Sequence, residues 1–198
     1  MDSAAELDAL IERMVDDYVS RNQAATILRQ MLDETGVGFS PVIDHFTVRT
    51  ADIDRRAEEF TRLGYVHGET LQYDDWCAKV YRKVGYPALF VDQAYPDDRG
   101  KTSIIPGWVQ RFGDLVFHHV AVRVEDIERA IARLKEKGVV FAGQIVGVRG
   151  GQLRQIFTAP EMVDGQPFSV LELAERHRGY QGFSPPQADS LMKSTAPR

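Results

Sequence analysis

One stretch of this 198-residue sequence occurs twice, and this internal repeat restricts the fold more than any other feature. The first copy contains Ile43-Asp44-His45-Phe46-Thr47-Val48-Arg49, and Phe117-His118-His119-Val120-Ala121-Val122-Arg123 follows 74 residues later. Aligned without a gap, the copies share eight identical residues. The pairs are His45/His119, Val48/Val122, Arg49/Arg123, Asp52/Asp126, Ile53/Ile127, Arg55/Arg129, Gly64/Gly138 and Val66/Val140. We therefore expect two copies of one small structural unit.

Each copy reads as a strand, a helix and three further strands. The first segment alternates in hydrophobicity like a strand, and a helical pattern that ends near a glycine follows it. Three strand-like runs then follow between turn residues. They lie at 68–73, 78–82 and 88–92 in the first copy, and at 143–148, 153–157 and 168–173 in the second. Both copies are therefore predicted to be βαβββ units.

The positions of the two repeats define the remaining segments of the chain. Apolar residues recur at helical spacing over residues 7–32, with Asn22 as a predicted N-cap between two helices and Gly36 as a stop. The predicted segments are a helical lead-in (1–40), unit one (41–95), a linker (96–114), unit two (115–176) and a tail (177–198) with a short helix near 188–193. The predicted class is α+β, with two tandem βαβββ units forming a half-barrel cleft and an N-terminal helical extension.

Composition excludes several functions. The chain contains 24 Lys and Arg residues and 29 Asp and Glu residues. The resulting net charge of −5 argues against a protein that binds nucleic acid. No apolar run approaches the roughly 20 residues that span a bilayer. The single cysteine, Cys77, cannot form an internal disulfide, and the acidic start lacks the features of a signal peptide. We therefore expect a cytoplasmic protein that binds neither nucleic acid nor membrane.

The two-residue period of a strand assigns the repeated histidines to a face. In the first copy, His45 shares its face with Arg49, and in the second, His119 shares its face with Arg123. His118 lies on the opposite, apolar side of its strand. His119 is therefore the predicted counterpart of His45, and two equivalent histidines can converge if the two copies share a cleft.

A carboxylate in the last strand supplies a third candidate ligand. Glu172 lies within an apolar run, where a carboxylate is costly unless it is paired, protonated or bound to a metal. Two histidines and one carboxylate form the facial triad of non-haem Fe(II) oxygenases, although Mn, Co, Ni or Zn also accept these ligands. Core histidines and an edge-strand glutamate are the structural alternative. Asp92 lies near the equivalent place in the first copy and is a weaker candidate for a fourth ligand.

The paired units resemble the vicinal oxygen chelate superfamily, which includes glyoxalase I, extradiol dioxygenases and 4-hydroxyphenylpyruvate dioxygenase. The C-terminal part of the last of these is similar to three segments of this chain, Gln152–Thr158, Val170–His177 and Gln181-Gly182-Phe183. The resemblance implies Fe(II) bound by His45, His119 and Glu172. It further implies that Gln155 faces the active site and that Phe183 packs against the substrate.

The first part of the chain resembles a second family, the 2-oxoadipate dioxygenase/decarboxylases. The similarity lies in Asp44–Thr50, Gly64-Tyr65 and Gly85–Phe90, preceded by a helical lead-in. In that family the arginine four residues after the ligand contacts the substrate carboxylate, which implies the same role for Arg49. A guanidinium can bind a carboxylate through two hydrogen bonds. Its repeat partner Arg123 either shares this role or closes the strand end.

These observations favour a mononuclear Fe(II) dioxygenase that oxidises and decarboxylates a 2-oxo acid, with no catalytic residues beyond the metal ligands. The expected partners are a small carboxylate substrate and O2, with a second copy of the chain as a further candidate. A metal-dependent isomerase, epimerase or lyase, and an extradiol dioxygenase, remain alternatives on the same ligands. A metal-free small-molecule binding protein is the non-enzymatic alternative.

Overall fold

The computed structural model describes residues 3–194. Six α-helices are formed in this range, at α1 Ser3–Ser20, α2 Gln23–Asp33, α3 Ile53–Arg62, α4 Ile105–Phe112, α5 Ile127–Glu136 and α6 Pro185–Ser194. Ten strands accompany them, at β1 Ile43–Arg49, β2 Val66–Gln72, β3 Trp76–Arg82, β4 Ala88–Ala94, β5 Phe117–Val124, β6 Phe141–Val146, β7 Leu153–Thr158, β8 Met162–Val163, β9 Gln166–Pro167 and β10 Val170–Arg176. The chain is an α+β protein with N-terminal helices, as predicted.

The described chain divides into two compact units. The first contains the residues up to Tyr18 together with His45–His118, and the second contains Val19–Asp44 together with the residues from His119 onward. The predicted lead-in is thus shared, because nearly all of α1 belongs to the first unit and α2 to the second. Each unit contains one βαβββ repeat.

The first unit is a four-stranded mixed sheet in the order β2-β3-β4-β1. Strands β1 and β4 are parallel, and the other pairs are antiparallel. Helix α3 packs against β4 and buries Phe60, which contacts Phe46 of β1. Helix α1 adds Tyr18, whose ring lies 6.4 Å from that of Phe117. The apolar face of the sheet is therefore covered by helices, which leaves the opposite face for His45.

The second unit repeats this plan in the order β5-β10-β7-β6, with β5 and β10 parallel. Helix α5 packs against β10, and α2 packs against both. Asn22 caps α2 as predicted, because its Oδ1 accepts from the Ala25 N–H, and its Nδ2 donates to Ser169 Oγ at 3.1 Å. The predicted tail helix is α6, which buries Leu191 against Phe157 and Val170.

Several of the repeated residues are explained by the ends of the repeated helices. Asp52 and Asp126 cap α3 and α5, and each accepts from the backbone N–H three residues later. Gly64 and Gly138 follow these helices with φ values of 96° and 89°, a conformation that favours glycine. These two identities are needed by the fold, whereas the identity of His45 and His119 is not explained in this way.

The stretch between the repeats is ordered. A 3₁₀ helix covers Asp98–Thr102, and α4 follows it with Ile105 and Trp108 buried. Across residues 3–194, none of the helices combines the length and the apolar character needed to cross a membrane.

Candidate metal centre

A buried histidine and a buried glutamate meet on one face of the second unit. The parallel pairing of β5 and β10 sets Val170 opposite His119 and Glu172 opposite Ala121, so that both side chains point to the same side. His119 Nε2 lies 3.4 Å from Glu172 Oε2, and their side chains are 10% and 2% exposed. An imidazole nitrogen and a carboxylate oxygen, both of which can bind a metal ion, therefore lie side by side within the protein.

Gln155 fixes the other oxygen of this carboxylate. It lies on the neighbouring strand β7, and its Nε2 donates to Glu172 Oε1 at 2.5 Å. The Phe157 ring, 5.1 Å from the His119 ring, closes the apolar side. One carboxylate oxygen is therefore oriented by the amide, and the other is directed towards the histidine.

The spacing of the two donors suits a shared metal ion. A histidine–carboxylate hydrogen bond is roughly 2.7–2.9 Å long when charge-assisted, and 3.4 Å exceeds that. Two ligand atoms at about 2.0–2.2 Å from one divalent ion lie roughly 3.0–3.4 Å apart, depending on the coordination angle. Imidazole nitrogen and carboxylate oxygen are also ligands that iron, zinc, nickel and manganese accept. The pair therefore fits a metal in both chemistry and distance.

His45 occupies the corresponding strand of the first unit. The register of β1 with β4 sets His45 opposite Ala88, Thr47 opposite Phe90, and Arg49 opposite Asp92, all on one face. The histidine is 3% exposed, and its ring lies 5.0 Å from that of Phe90. His118 instead packs its ring edge-on to Trp108 at 5.8 Å.

The far end of this face carries two buried charged groups, Arg49 and Asp92, each 2% exposed. Burial lowers the pKa of Arg49 to about 10, opposed by the nearby Asp92, so the guanidinium stays charged at neutral pH. Burial raises the pKa of Asp92 to about 7, although the charges of Arg49 and His45 act the other way. The guanidinium lies 5.4 Å from the Trp108 ring centre.

Strand register corrects the position expected for Asp92. Glu172 pairs with Ala121, whose counterpart in the first copy is Thr47, and Thr47 pairs with Phe90. Phe90 therefore holds the place equivalent to Glu172, and Asp92 lies two residues further along β4. The first unit offers an aromatic ring where the second offers its carboxylate.

The second repeated arginine has a partner of its own. Arg123 Nη2 donates to Asp44 Oδ1 at 2.9 Å, and the Arg123 side chain is 52% exposed. Asp44 also accepts from Arg176 Nε at 2.8 Å and from Arg176 Nη2 at 2.9 Å. Arg123 therefore belongs to an ion-pair cluster at the strand ends, in contrast to the fully buried Arg49.

The same cluster holds the segment that carries Phe183. Arg176 Nη1 donates to the Gly182 carbonyl at 2.8 Å and lies 3.4 Å from the Tyr180 carbonyl. Its guanidinium lies 4.6 Å from the centre of the Phe183 ring. Arg176 was not among the residues predicted to serve the site. Its position four residues after Glu172, on the same strand face, is the signal that could have identified it.

A second group of acidic side chains has protein partners instead. Asp126, Glu128 and Glu175 lie close together at the start of α5. Glu175 accepts from the Ile127 N–H at 2.7 Å, and Arg154 pairs with both glutamates. Burial alone would raise the pKa of Glu175, but the hydrogen bonds from Ile127, His177 and Arg154 hold it below its usual value. These carboxylates cap the helix and form ion pairs.

Solved structures resemble this fold at low sequence identity. Rice hydroxyglutarate synthase in complex with 2-oxoadipate has a TM-score of 0.78 at 18% identity, covering 98% of this chain and 93% of that chain. A mutant of 4-hydroxymandelate synthase from Streptomyces coelicolor has a TM-score of 0.60 at 16% identity, covering 77% and 54%. Methylmalonyl-CoA epimerase from Mycobacterium tuberculosis has a TM-score of 0.52 at 19% identity, covering 68% and 87%. These likenesses establish the fold.

Sequence comparison gives the family. No curated protein sequence matches the chain. A sequence profile of the glyoxalase/bleomycin resistance protein/dioxygenase superfamily matches residues 44–157, which is more than half of the 198 residues and runs from β1 to β7. The repeated βαβββ units and this match together show that the chain belongs to the glyoxalase/bleomycin resistance protein/dioxygenase superfamily.

Proposed function

We propose that His45, His119 and Glu172 together bind one divalent metal ion, and that the protein is a mononuclear non-haem Fe(II) dioxygenase acting on a 2-oxo acid with decarboxylation. The observation that carries this proposal is the buried His119–Glu172 pair, whose carboxylate is oriented by Gln155. The repeat supplies the third ligand, because His45 holds the position of His119 in the other copy.

The ligand set is the reason for preferring iron. Two histidines and one carboxylate on one side of an ion leave the remaining positions open, which is the arrangement of Fe(II) oxygenases. Bound there, Fe(II) would supply the one-electron chemistry that O2 requires. Members of this superfamily are mostly metal-dependent enzymes and include dioxygenases and epimerases. Manganese, cobalt, nickel and zinc fit the same donors, so iron is the part of the proposal that needs measurement.

The side chains around the ligands have defined tasks. Gln155 donates to one oxygen of the Glu172 carboxylate, which fixes the side-chain rotamer and directs the other oxygen towards His119. Phe90 and Phe157 lie against the two histidine rings and restrict water near them. Arg49 is assigned to the tail of the substrate, and Phe183 to its apolar surface. Arg123 is a weaker candidate than Arg49 for a substrate contact, because it pairs with Asp44.

The reaction needs no separate organic co-substrate. Loss of CO2 from the 2-oxo acid supplies two electrons, and both atoms of O2 enter the product, one in the new carboxylate and one as a hydroxyl. The rice neighbour is named a hydroxyglutarate synthase and contains a 2-oxo acid, which supports this substrate class for a protein of the same fold.

Metal content and oxygen uptake test the proposal. The protein is purified without chelator, its metals are quantified by mass spectrometry, and O2 consumption is followed with a panel of 2-oxo acids. We expect about one iron per chain and uptake that requires iron. Zinc or nickel without oxygen uptake would contradict the dioxygenase and favour an isomerase, epimerase or lyase. A protein without stoichiometric metal would instead be a binding protein.

A further inference from the structure

A buried carboxylate oxygen next to Arg49 has no hydrogen-bond partner. Asp92 is 2% exposed, and within residues 3–194 nothing donates to its Oδ1. The carboxylate lies on the same sheet face as His45, opposite Arg49 on the paired strand. A buried acceptor without a donor costs free energy, and a native structure keeps one mainly where a ligand or water completes it.

The charges of the two groups determine which ligand is favoured. Asp92 lies opposite Arg49 on the paired strand. In its ionised form, which prevails above its pKa of about 7, its negative charge offsets much of the attraction that Arg49 exerts on an anion. A second carboxylate that approached the guanidinium would also approach Asp92. A hydroxyl group has no such conflict, because its oxygen accepts from a guanidinium and its proton is donated to a carboxylate.

The surroundings of the pair suit an uncharged tail. The guanidinium of Arg49 lies 5.4 Å from the ring centre of Trp108, which is 6% exposed. Phe90 precedes Asp92 by two residues on the same face of β4. An aromatic residue therefore lies near each member of the polar pair, which suits an aliphatic or aromatic chain that ends in one polar group.

We propose that Arg49 and Asp92 form the subsite for the substrate's tail, and that they select a 2-oxo acid ending in a hydroxyl over one ending in a second carboxylate. This inference rests on the proposed function, because it assumes that the 2-oxo acid end lies at His45, His119 and Glu172. The inference concerns substrate specificity alone. Its test distinguishes a failure of the specificity assignment from a failure of the proposed function.

Three 2-oxo acids that differ only at the sixth carbon provide the test. They are 6-hydroxy-2-oxohexanoate, 2-oxoadipate with its second carboxylate, and 2-oxohexanoate with a methyl end. Their dissociation constants are measured by calorimetry at about pH 8.5, where Asp92 is ionised, on the metal-loaded protein under anaerobic conditions. We expect the hydroxyl-ended acid to bind about tenfold more tightly than either of the others, since it alone satisfies Asp92 Oδ1.

Two variants separate the charge of Asp92 from its hydrogen bond. Asp92→Asn removes the charge and keeps an acceptor, so we expect 2-oxoadipate to gain about tenfold while the hydroxyl-ended acid stays within about threefold. Asp92→Ala removes both and should abolish the preference for the hydroxyl. Asp98→Ala is the matched control, because that carboxylate is 93% exposed and pairs with the exposed Lys101. Thermal unfolding checks that each variant is folded.

The outcomes are distinct. Tightest binding of 2-oxoadipate by the wild-type protein would overturn the specificity assignment while supporting the proposed function. An unchanged order of affinities in both Asp92 variants would also overturn it. If the protein binds the metal but none of the three acids, the inference and the proposed function both fail.

Discussion

At the scale of single residues, the pleat of two parallel strands brings His119 and Glu172 together. Their side chains lie on the same face of the sheet, and the register of β5 with β10 places His119 Nε2 3.4 Å from Glu172 Oε2. A buried carboxylate loses its hydration, and the amide of Gln155 replaces part of it. The proposed metal ion would complement the second oxygen and the imidazole nitrogen, and it would account for the retention of both polar groups at this buried position.

Replacing His119 tests the ligand assignment. His119→Ala should lower the affinity for Mn(II) or Fe(II) by at least about 100-fold, because one of the three proposed protein ligands is lost. Isothermal titration with the metal measures this. His118→Ala is the matched control, since that neighbouring ring packs against Trp108 and should leave the affinity nearly unchanged. Equal loss in both variants would contradict the assignment.

Replacing Gln155 tests the support of the carboxylate. Gln155→Met keeps the volume and removes the donor to Glu172, so the carboxylate is held less firmly. We expect metal affinity to fall by about 10–100-fold, the range typical of residues that orient ligands. Metal titration of the two proteins provides the comparison. Unchanged affinity would mean that the amide packs beside the ligand without orienting it.

At the scale of elements, the buried carboxylate of Glu175 on β10 forms a hydrogen bond with the start of α5. Glu175 accepts from the Ile127 N–H, while Arg154 and His177 hold its oxygens. The helix terminus and the carboxylate have opposite polarity, and this stabilises the ionised form. The strand that carries Glu172 is thereby attached to the helix behind it.

Glu175→Gln should lower the free energy of unfolding by about 1–3 kcal/mol at pH 7. The pKa of Glu175 is lowered in the folded state, so its stabilisation is present above the unfolded value of about 4.3. It is lost as the pH falls through the lower folded value. Urea unfolding of both proteins between pH 7 and pH 3 measures the difference. A difference that grows towards acid pH would contradict this account.

The tail that carries Phe183 is held by one arginine. Arg176 contacts both oxygens of Asp44 and also donates to the Gly182 carbonyl. Its planar guanidinium makes these contacts together, which a lysine ammonium on a single flexible chain does not. The Asp44–Arg176 pair thereby attaches the tail to strands that carry proposed metal ligands.

Arg176→Lys should therefore loosen the tail while the charge is kept. We expect backbone amides at residues 180–183 to exchange with deuterium faster than in the wild-type protein, as measured by mass spectrometry. Arg178→Lys is the matched control, since Arg178 is exposed. Equal exchange in the wild-type protein and Arg176→Lys would show that other contacts hold the segment.

At the scale of the whole molecule, the repeat made most of the architecture predictable. Hydrophobic period and turn residues predicted both βαβββ units, the lead-in helices with the Asn22 cap, and the tail helix. These features are local in sequence, or they are marked by identical residues 74 positions apart. The family followed from the same residues, and the profile match over residues 44–157 confirmed it.

Pairings between distant residues were not predictable. The attachment of Arg176 to Asp44 joins residues 132 positions apart, and no sequence pattern marks it. The place of Asp92 depends on the register of β1 with β4, and a shift of two residues changes its counterpart from Glu172 to Ala174. Register depends on packing over whole strands, so single-residue patterns give it only approximately.

The duplicated unit gives one copy a carboxylate and the other an aromatic ring at the same strand position. Glu172 and Phe90 hold equivalent places beside Ala121 and Thr47. Two such copies can supply two histidines but one carboxylate, which is the ligand set of the proposed Fe(II) site. This difference between the two copies explains how a duplicated unit can offer a single carboxylate to the proposed site.

The ratio of CO2 released to O2 consumed tests the central claim most directly. Iron-loaded protein is supplied with a 2-oxo acid that it binds, and both gases are quantified over the same interval. The account predicts one CO2 for each O2, and no turnover in His119→Ala. Oxygen consumption without CO2 release would contradict the decarboxylating reaction, and turnover of substrate without oxygen consumption would contradict the dioxygenase altogether.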